Sequence, residues 1–260
     1  MIRFVTPELE PIFQETIDTF GVFSVKIYSQ YQTYGAQSGI ADFWLAFDGA
    51  QVTGVISKLN GCLTIAALSD VDADELSAFL GAVGGKFADA ELPLIERLGS
   101  QAESSWVLSF QQFNTPVVEN LAGIFAPAER LRSAYDLLCL GSPQFSKEVP
   151  HDSWLTETSH KQRHHLADVY LLKVDNNDIC TASIQFKSQT RAIIAGVATH
   201  PAYLRRGYGR QMIMHTVKES LGQGLVPYLL TGDDSLASFY QQCGFEITGR
   251  WGRIDLERHR

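Results

Sequence analysis

At 260 residues, the chain has room for two domains of the usual ~100–200 residues each. Its 45% hydrophobic and 19% charged content is that of a globular protein, which excludes wholesale disorder and collagen-like or linker-like chains. A net charge of −8 speaks against broad, non-specific nucleic-acid binding, which needs a basic face. The charge is uneven: residues 1–130 hold 6 Lys+Arg and 16 Asp+Glu, a net of −10, while residues 131–260 hold 15 and 13, a net of +2. That asymmetry suggests two units with different jobs.

The N-terminal residues have no apolar core and no small-residue cleavage site, so no signal peptide is expected. The longest apolar runs, near Leu63–Leu68 and Ala192–Ala198, are strand length and well short of a membrane span. The expectation is a soluble, cytoplasmic protein with no membrane partner. Cys62, Cys139, Cys180 and Cys243 show neither CxxC pairing nor zinc-site spacing to a histidine. The first three lie in apolar, strand-like runs, and all four read as buried free thiols in a reducing compartment.

In chain order, Asp42–Asp48 alternates apolar and polar residues and turns at Asp48-Gly49. Val52–Leu59 is a second strand, Asn60-Gly61 a hairpin turn, and Cys62–Leu68 a third strand. Asp74–Val83 reads as a helix, with Leu76, Phe79, Leu80 and Val83 at three- and four-residue spacing. A further strand is expected at Glu91–Leu98. The second half repeats the script: strand Asp168–Val174, turn Asn176-Asn177-Asp178, strands Ile179–Phe186 and Arg191–Thr199. A helix from about Gly207 to Leu221 then buries Met212, Ile213, Thr216 and Val217, and Val226–Leu230 is the further strand. Asp42 matches Asp168 at an offset of 126. The pattern predicts two copies of one α+β domain, 1–125 and 133–260, linked near residues 112–133.

The segment from Val197 to Arg210 carries the chemistry. It leaves an apolar strand and enters a helix through a loop with Gly207 and Gly209. Such a loop offers free backbone N–H groups at the positive end of a helix dipole, a site suited to a pyrophosphate. Arg205, Arg206 and Arg210 add positive charge beside it. Later, Asp233 is positioned to cap a helix running through Tyr240, which Gly244 stops before a strand from Phe245 to Ile247. A dinucleotide-binding fold is a poor match, because no third glycine follows Gly209 at the required spacing.

Together these two segments resemble motifs A and B of the GNAT superfamily of acyl-CoA N-acyltransferases, over about residues 165–255. Gly207 and Gly209 fall on the family's two glycine positions, and Tyr240, Gly244 and Phe245 on the second motif. Leu204 stands where the family usually has Gln or Arg, and Asp233 where it usually has Asn. The resemblance implies a fold of two GNAT-like copies, each a mixed, mostly antiparallel sheet flanked by helices. It also implies acetyl-CoA as co-substrate. Val197, Ala198 and Thr199 would face the pantetheine arm, and the amides of Arg205, Arg206, Gly207, Tyr208, Gly209 and Arg210 would hold the pyrophosphate. Asp233 would lie toward the coenzyme, and Tyr240 would protonate the leaving thiolate.

No motif names the base that deprotonates the amine. Glu157, His160, Lys161 and His164 recur at helical spacing, and histidine titrates in the right range for proton transfer. The resemblance implies that helices before the second strand line the acceptor pocket, which makes Glu157, His160 and His164 the acceptor-side candidates, with Ser159 and Arg163 on the adjacent face. Their spacing admits a metal, but none is expected. In the first half, Ser69–Glu75 stands in the place of the phosphate loop and carries four carboxylates and no Gly-x-Gly. Gly81, Gly84 and Gly85 fall at the helix end instead. Acids there would repel a pyrophosphate and compete for its amides, so the first copy is expected to have lost coenzyme binding and to help shape the acceptor cleft. The expected activity is acetyl transfer to a primary amine of a small molecule or peptide, by a monomer or homodimer. The alternative is a non-catalytic acyl-CoA-binding sensor or scaffold.

Overall fold

The structure, a computed structural model, describes residues 1–99, 104–113 and 123–257. The chain divides into two compact units. Unit 1 holds Met1–Val107, Thr231–Asp234 and Ile247–Arg260; unit 2 holds Leu108–Leu230 and Ser235–Glu246. The expected link near 112–133 includes residues 114–122, which lie outside the described residues.

In chain order the first elements are β1 (Ile2–Phe4), α1 (Glu10–Thr16), α2 (Phe23–Tyr34), β2 (Ala41–Asp48), β3 (Gln51–Leu59) and β4 (Cys62–Ala67). Then come α3 (Ala73–Val83), β5 (Phe87–Glu91), α4 (Leu92–Arg97) and β6 (Ser104–Phe110). There follow β7 (Ile124–Pro127), α5 (Leu131–Gly141), α6 (Phe145–Glu148), α7 (His151–Arg163), β8 (Asp168–Val174), β9 (Asn177–Lys187) and β10 (Arg191–Thr199). The chain ends with α8 (Tyr208–Gly222), β11 (Val226–Thr231), α9 (Asp234–Gln242) and β12 (Phe245–Asp255).

In unit 1 the strand order is β1-β2-β3-β4-β5-β12. The meander β1–β4 is antiparallel, β5 runs parallel to β4, and β12 closes the row antiparallel to β5 through Trp251↔Glu91 to Asp255↔Phe87. The tail of β12 thus belongs with residues from the start of the chain. The Asn60-Gly61 turn takes positive φ at both positions, 53° and 80°, as a tight hairpin between right-twisted strands requires. One face of this sheet packs Leu63, Ile65, Ala88, Ala90 and Ile254 with Leu76 and Leu80 of α3, while Phe79 and Val83 close the edge.

In unit 2 the order is β11-β10-β9-β8-β7, with β10 parallel to β11 and the other pairs antiparallel. Asp175 and Asn176 form its hairpin turn at φ 50° and 62°. One core layer joins Tyr170, Leu172, Cys180, Ala182 and Ile184 to Met212 of α8; a second joins Val169, Leu171 and Ala198 to α5 and to Trp154 of α7. Met212, Ile213, Thr216 and Val217 of α8 are buried.

Three expectations are corrected. Glu91–Leu98 is not a strand: the strand lies earlier, at Phe87–Glu91, and α4 follows. Pro93 sits in the first turn of α4, where its fixed φ and missing N–H suit a helix start and not a central strand. Ala88 and Ala90, too small to stand out as an apolar pattern, are the buried strand residues. Cys139 lies in helix α5, not a strand, since a short apolar run has no periodicity that separates the two. Of the four free thiols, Cys180 and Cys243 are buried, whereas Cys62 and Cys139 are only partly so.

Candidate active site

Strands β10 and β11 pair in parallel from Arg191↔Val226 to Ile194↔Leu229, and there the pairing stops, although β10 continues to Thr199. On its other edge, β10 is irregular against β9: the register breaks between Ile193 and Ile194 and again between Ala195 and Ala198. Gly196 sits in the second irregularity at φ 62°, a conformation costly for any residue with a Cβ. The Ser183 hydroxyl donates to the Ala195 carbonyl at 2.9 Å and holds the bulge. The end of pairing leaves Ala195–Thr199 without a β11 partner, and the bulge takes Gly196 and Val197 out of the β9 ladder as well, while Ala195, Ala198 and Thr199 stay paired with β9. Backbone groups released in this way demand other partners, and an extended amide-bearing chain supplies them.

Past β10, a 3-10 turn at Pro201–Tyr203 leads to Arg205, at φ 58°, and Gly207, at φ 88°, which is the N-cap of α8. Gly207 brings no side chain to cap the helix, and no acid occupies the first turn. The amides of Tyr208, Gly209 and Arg210 therefore point outward from the positive end of a 15-residue helix. A Cβ on Gly209 would stand 3.2 Å from Thr199 Oγ1 and 4.0 Å from Phe239 Cζ, so this residue is the floor of a narrow approach to the helix end. Thr199 is itself held by Cys180, Sγ to Oγ1 at 3.2 Å. The Arg206 guanidinium lies over the Tyr203 ring at 5.4 Å. Arg210 is close enough to Cys243 to favour its thiolate, although burial dominates and pushes that thiol up to about 11. Val197 packs at the edge of the α8-side core and Ala198 in the opposite layer, as residues of alternate faces must.

Tyr240 lies on α9, 6% exposed, between Phe239 at 5.3 Å and Phe245 at 6.2 Å. Burial pushes its phenol up to about 12, so it stays protonated as a hydrogen-bond donor at neutral pH. Asp233 immediately precedes α9, and its N–H donates to Thr231 Oγ1 at 3.3 Å. Gly244 ends that helix at φ 94°.

The acceptor-side candidates are brought together only in part. Lys161 is 1% exposed, its ammonium 2.9 Å from Glu157 and 4.0 Å from the centre of the Phe186 ring. Glu157 thus serves as counter-ion to a buried cation. His160 and His164 lie with ring centres 6.5 Å apart; His160 is in α7, but His164 is the residue that ends it. Ser159 and Arg163 pair with each other, Nη2 to Oγ at 3.4 Å, on the exposed side. The anticipated single face is therefore split between a buried ion pair and a more open histidine end. The sequence reading missed three contributors: Ser183, Gly196 and Phe239. A glycine inside the Arg191–Thr199 strand was the available signal, since it marks a bulge; nothing local marks the other two.

Residues 165–247 match the family model described as "Acetyltransferase (GNAT) domain". Over its whole length the chain is similar to a GNAT-family acetyltransferase from Colwellia psychrerythraea, at 13% identity, with 98% of this chain and 99% of that one covered and a TM-score of 0.63. A GCN5-related N-acetyltransferase from Sphaerobacter thermophilus is as similar, at 13% identity, 98% and 95% coverage and a TM-score of 0.63. A tandem GNAT protein from the clavulanic acid biosynthesis pathway matches at 9% identity, 97% coverage of both chains and a TM-score of 0.62.

The chain has the tandem GNAT fold.

At these identities the structural likeness is one of fold, and the family-model match is confined to residues 165–247. No curated protein sequence matches the chain. Among the described residues of the chain, no helix is long and apolar enough to cross a membrane, and no group of three or more His, Cys, Asp and Glu is placed to hold a metal.

Proposed function

We propose that unit 2 is an acetyl-CoA-dependent N-acetyltransferase acting on a primary amine of a small molecule or peptide. The observation that carries this reading is the parting of β10 from β11 beyond Ile194↔Leu229, directed toward an uncapped, acid-free helix start at Gly207. The edge of Val197, Ala198 and Thr199 that β11 leaves unpaired suits the amides of a pantetheine arm. The N–H groups of Arg205–Arg210 and their guanidiniums suit a pyrophosphate. The unbranched approach over Gly209 fits the same coenzyme.

In the proposed reaction a neutral amine attacks the thioester carbonyl, the C–S bond breaks, and the thiolate leaves. Tyr240, neutral at working pH, donates to that sulfur. The amine's proton passes to a base drawn from His160, His164 and Glu157, directly or through water. Asp233 acts by setting the start of α9, which carries Tyr240. Unit 1 takes no coenzyme and the protein works in the cytoplasm, as monomer or homodimer, without a metal.

The test is thiol release from acetyl-CoA with a panel of primary amines, run beside calorimetry of coenzyme binding. Turnover on at least one amine is expected. Tight coenzyme binding with no turnover on any amine would replace this reading with that of an acyl-CoA sensor.

A further inference from the structure

Strand β10 ends at Thr199, just before the loop that enters α8. Thr199 pairs with Cys180 of β9, and register partners share a face of the sheet. That face is the α8 side, where Cys180 packs in one layer with Met212 and Val197 closes its edge. The two side chains meet, Cys180 Sγ lying 3.2 Å from Thr199 Oγ1. Cys180 is 0% exposed, whereas Thr199 is half-buried. The Thr199 oxygen also stands 3.2 Å from the point where a Cβ on Gly209 would lie. Gly209 is the second residue of α8, so the hydroxyl sits beside the amides that begin the helix. Among the described residues it makes no hydrogen bond other than that to Cys180.

The direction of the Cys180–Thr199 bond decides what Thr199 can do. A hydroxyl has one hydrogen to give and two lone pairs to offer, while a pyrophosphate presents only acceptor oxygens. If the thiol accepts the Thr199 hydrogen, the Thr199 lone pairs face the helix start and oppose an anion there. If the thiol donates, the Thr199 hydrogen is released toward the helix start. Burial pushes the Cys180 thiol up to about 11, so at neutral pH it keeps a hydrogen to give. Its other acceptor, the Thr181 carbonyl, is 4.0 Å away and competes weakly.

With an anionic oxygen at the start of α8, a relay from thiol to hydroxyl to anion uses both hydrogens, and each bond polarises the next. The reverse order leaves the S–H without a good acceptor and sets oxygen against oxygen. We propose that Cys180 is a positioning residue for the coenzyme: its thiol donates to Thr199 and turns the Thr199 hydroxyl into a side-chain donor to a pyrophosphate oxygen at the start of α8. This role rests on the coenzyme site proposed for unit 2 and adds a side-chain contact to the main-chain edge of Thr199. Cys180 itself, fully buried, does not touch the coenzyme.

The test is calorimetry of coenzyme A binding to the full chain, with a melting curve for each variant. Thr199→Val keeps the branched shape, removes the hydroxyl and should weaken binding about tenfold; Thr199→Ser, which keeps the hydroxyl, should recover most of that loss. Cys180→Ala should weaken binding by roughly three- to tenfold when Thr199 is present and by nothing further in the Thr199→Val background, as expected of two groups acting through one bond. Cys180→Ser retains a donor at the same place and should bind more tightly than Cys180→Ala. A packing role would instead lower affinity equally in both backgrounds and in step with Tm, with serine no better than alanine, and that result overturns the proposal. Unchanged affinity in Thr199→Val on a wild type that binds coenzyme A sinks the proposal alone. A wild type that binds no coenzyme A sinks the coenzyme site of unit 2 and the role of Cys180 with it.

Discussion

The two halves of this chain apply one strand–loop–helix plan to opposite ends. In the second half, β10 is bulged against β9 and parts from β11, and α8 begins at a glycine with no acid in its first turn. In the first half, β4 pairs with β3 from Cys62 to Ala67 without a register break. Helix α3 begins at Asp72, whose carboxylate accepts from the Glu75 amide at 3.0 Å, with Asp74 and Glu75 in the first turn. Glu75 in turn takes the Ile2 N–H at 2.7 Å and the terminal ammonium at 2.5 Å. Arg97 donates to the carbonyls of Ser69 and Val71 in the loop before it. The Glu75 amide and the carbonyls of Ser69 and Val71 are thus already engaged by the protein. The same helix dipole that favours an anion in unit 2 is satisfied in unit 1 by side-chain carboxylates. Unit 1 thus caps its helix start with its own carboxylates.

This contrast can be broken or sharpened by experiment. The largest effect is expected from Gly209→Glu, which sets a carboxylate against the helix start and a side chain into the 3.2 Å space beside Thr199. Calorimetry should show coenzyme binding abolished; retained binding would place the coenzyme elsewhere. Next, Tyr240→Phe should lower kcat by roughly 10²-fold or more, within the range of a lost general acid, and change the coenzyme Kd far less. An equal loss in both would make Tyr240 a packing residue. A smaller effect is expected in unit 1. Asp72→Ala should cost about 1 kcal/mol of stability in denaturant melts, the usual worth of an N-cap. It should leave coenzyme stoichiometry at one per chain, since β4 still has no bulge and Arg97 still fills the loop. A second equivalent of coenzyme would show that the acids alone had closed the site.

The smallest effect concerns pH. Burial raises the thiols of Cys180 and Cys243 from an ordinary value of 9.0 to about 11. Below pH 9 both states keep these protons. Above it the unfolded chain loses them first, so stability should decline as pH rises from about 9 through about 11. Cys180→Ala and Cys243→Ala should flatten that decline in Tm-against-pH curves; an unchanged slope would assign it to other groups.

Much of this protein was legible in the order of its residues, because local physics acts over a few positions. The Asn60-Gly61 hairpin, the alternation in β2–β4 and β8–β10, and the spacing of Met212, Ile213, Thr216 and Val217 each report a period or a turn within a short window. The glycines of the loop before α8 and the acids before α3 are likewise local, as is the charge split between halves. Where short-range signals conflict, as at Leu92-Pro93 or around Cys139, the window holds too little to decide between strand and helix. The remaining features depend on partners distant in sequence. That Lys161 is a buried cation follows only from the Phe186 ring and the Glu157 carboxylate around it. That one edge of Ala195–Thr199 is left open follows from where β11 stops pairing with β10. That Trp251 lies beside Glu91 follows from a strand contributed by the far end of the chain. Sequence determines what each residue can donate, accept or bury; only the tertiary structure decides which of those capacities are spent, because the partners that spend them lie on other strands and helices.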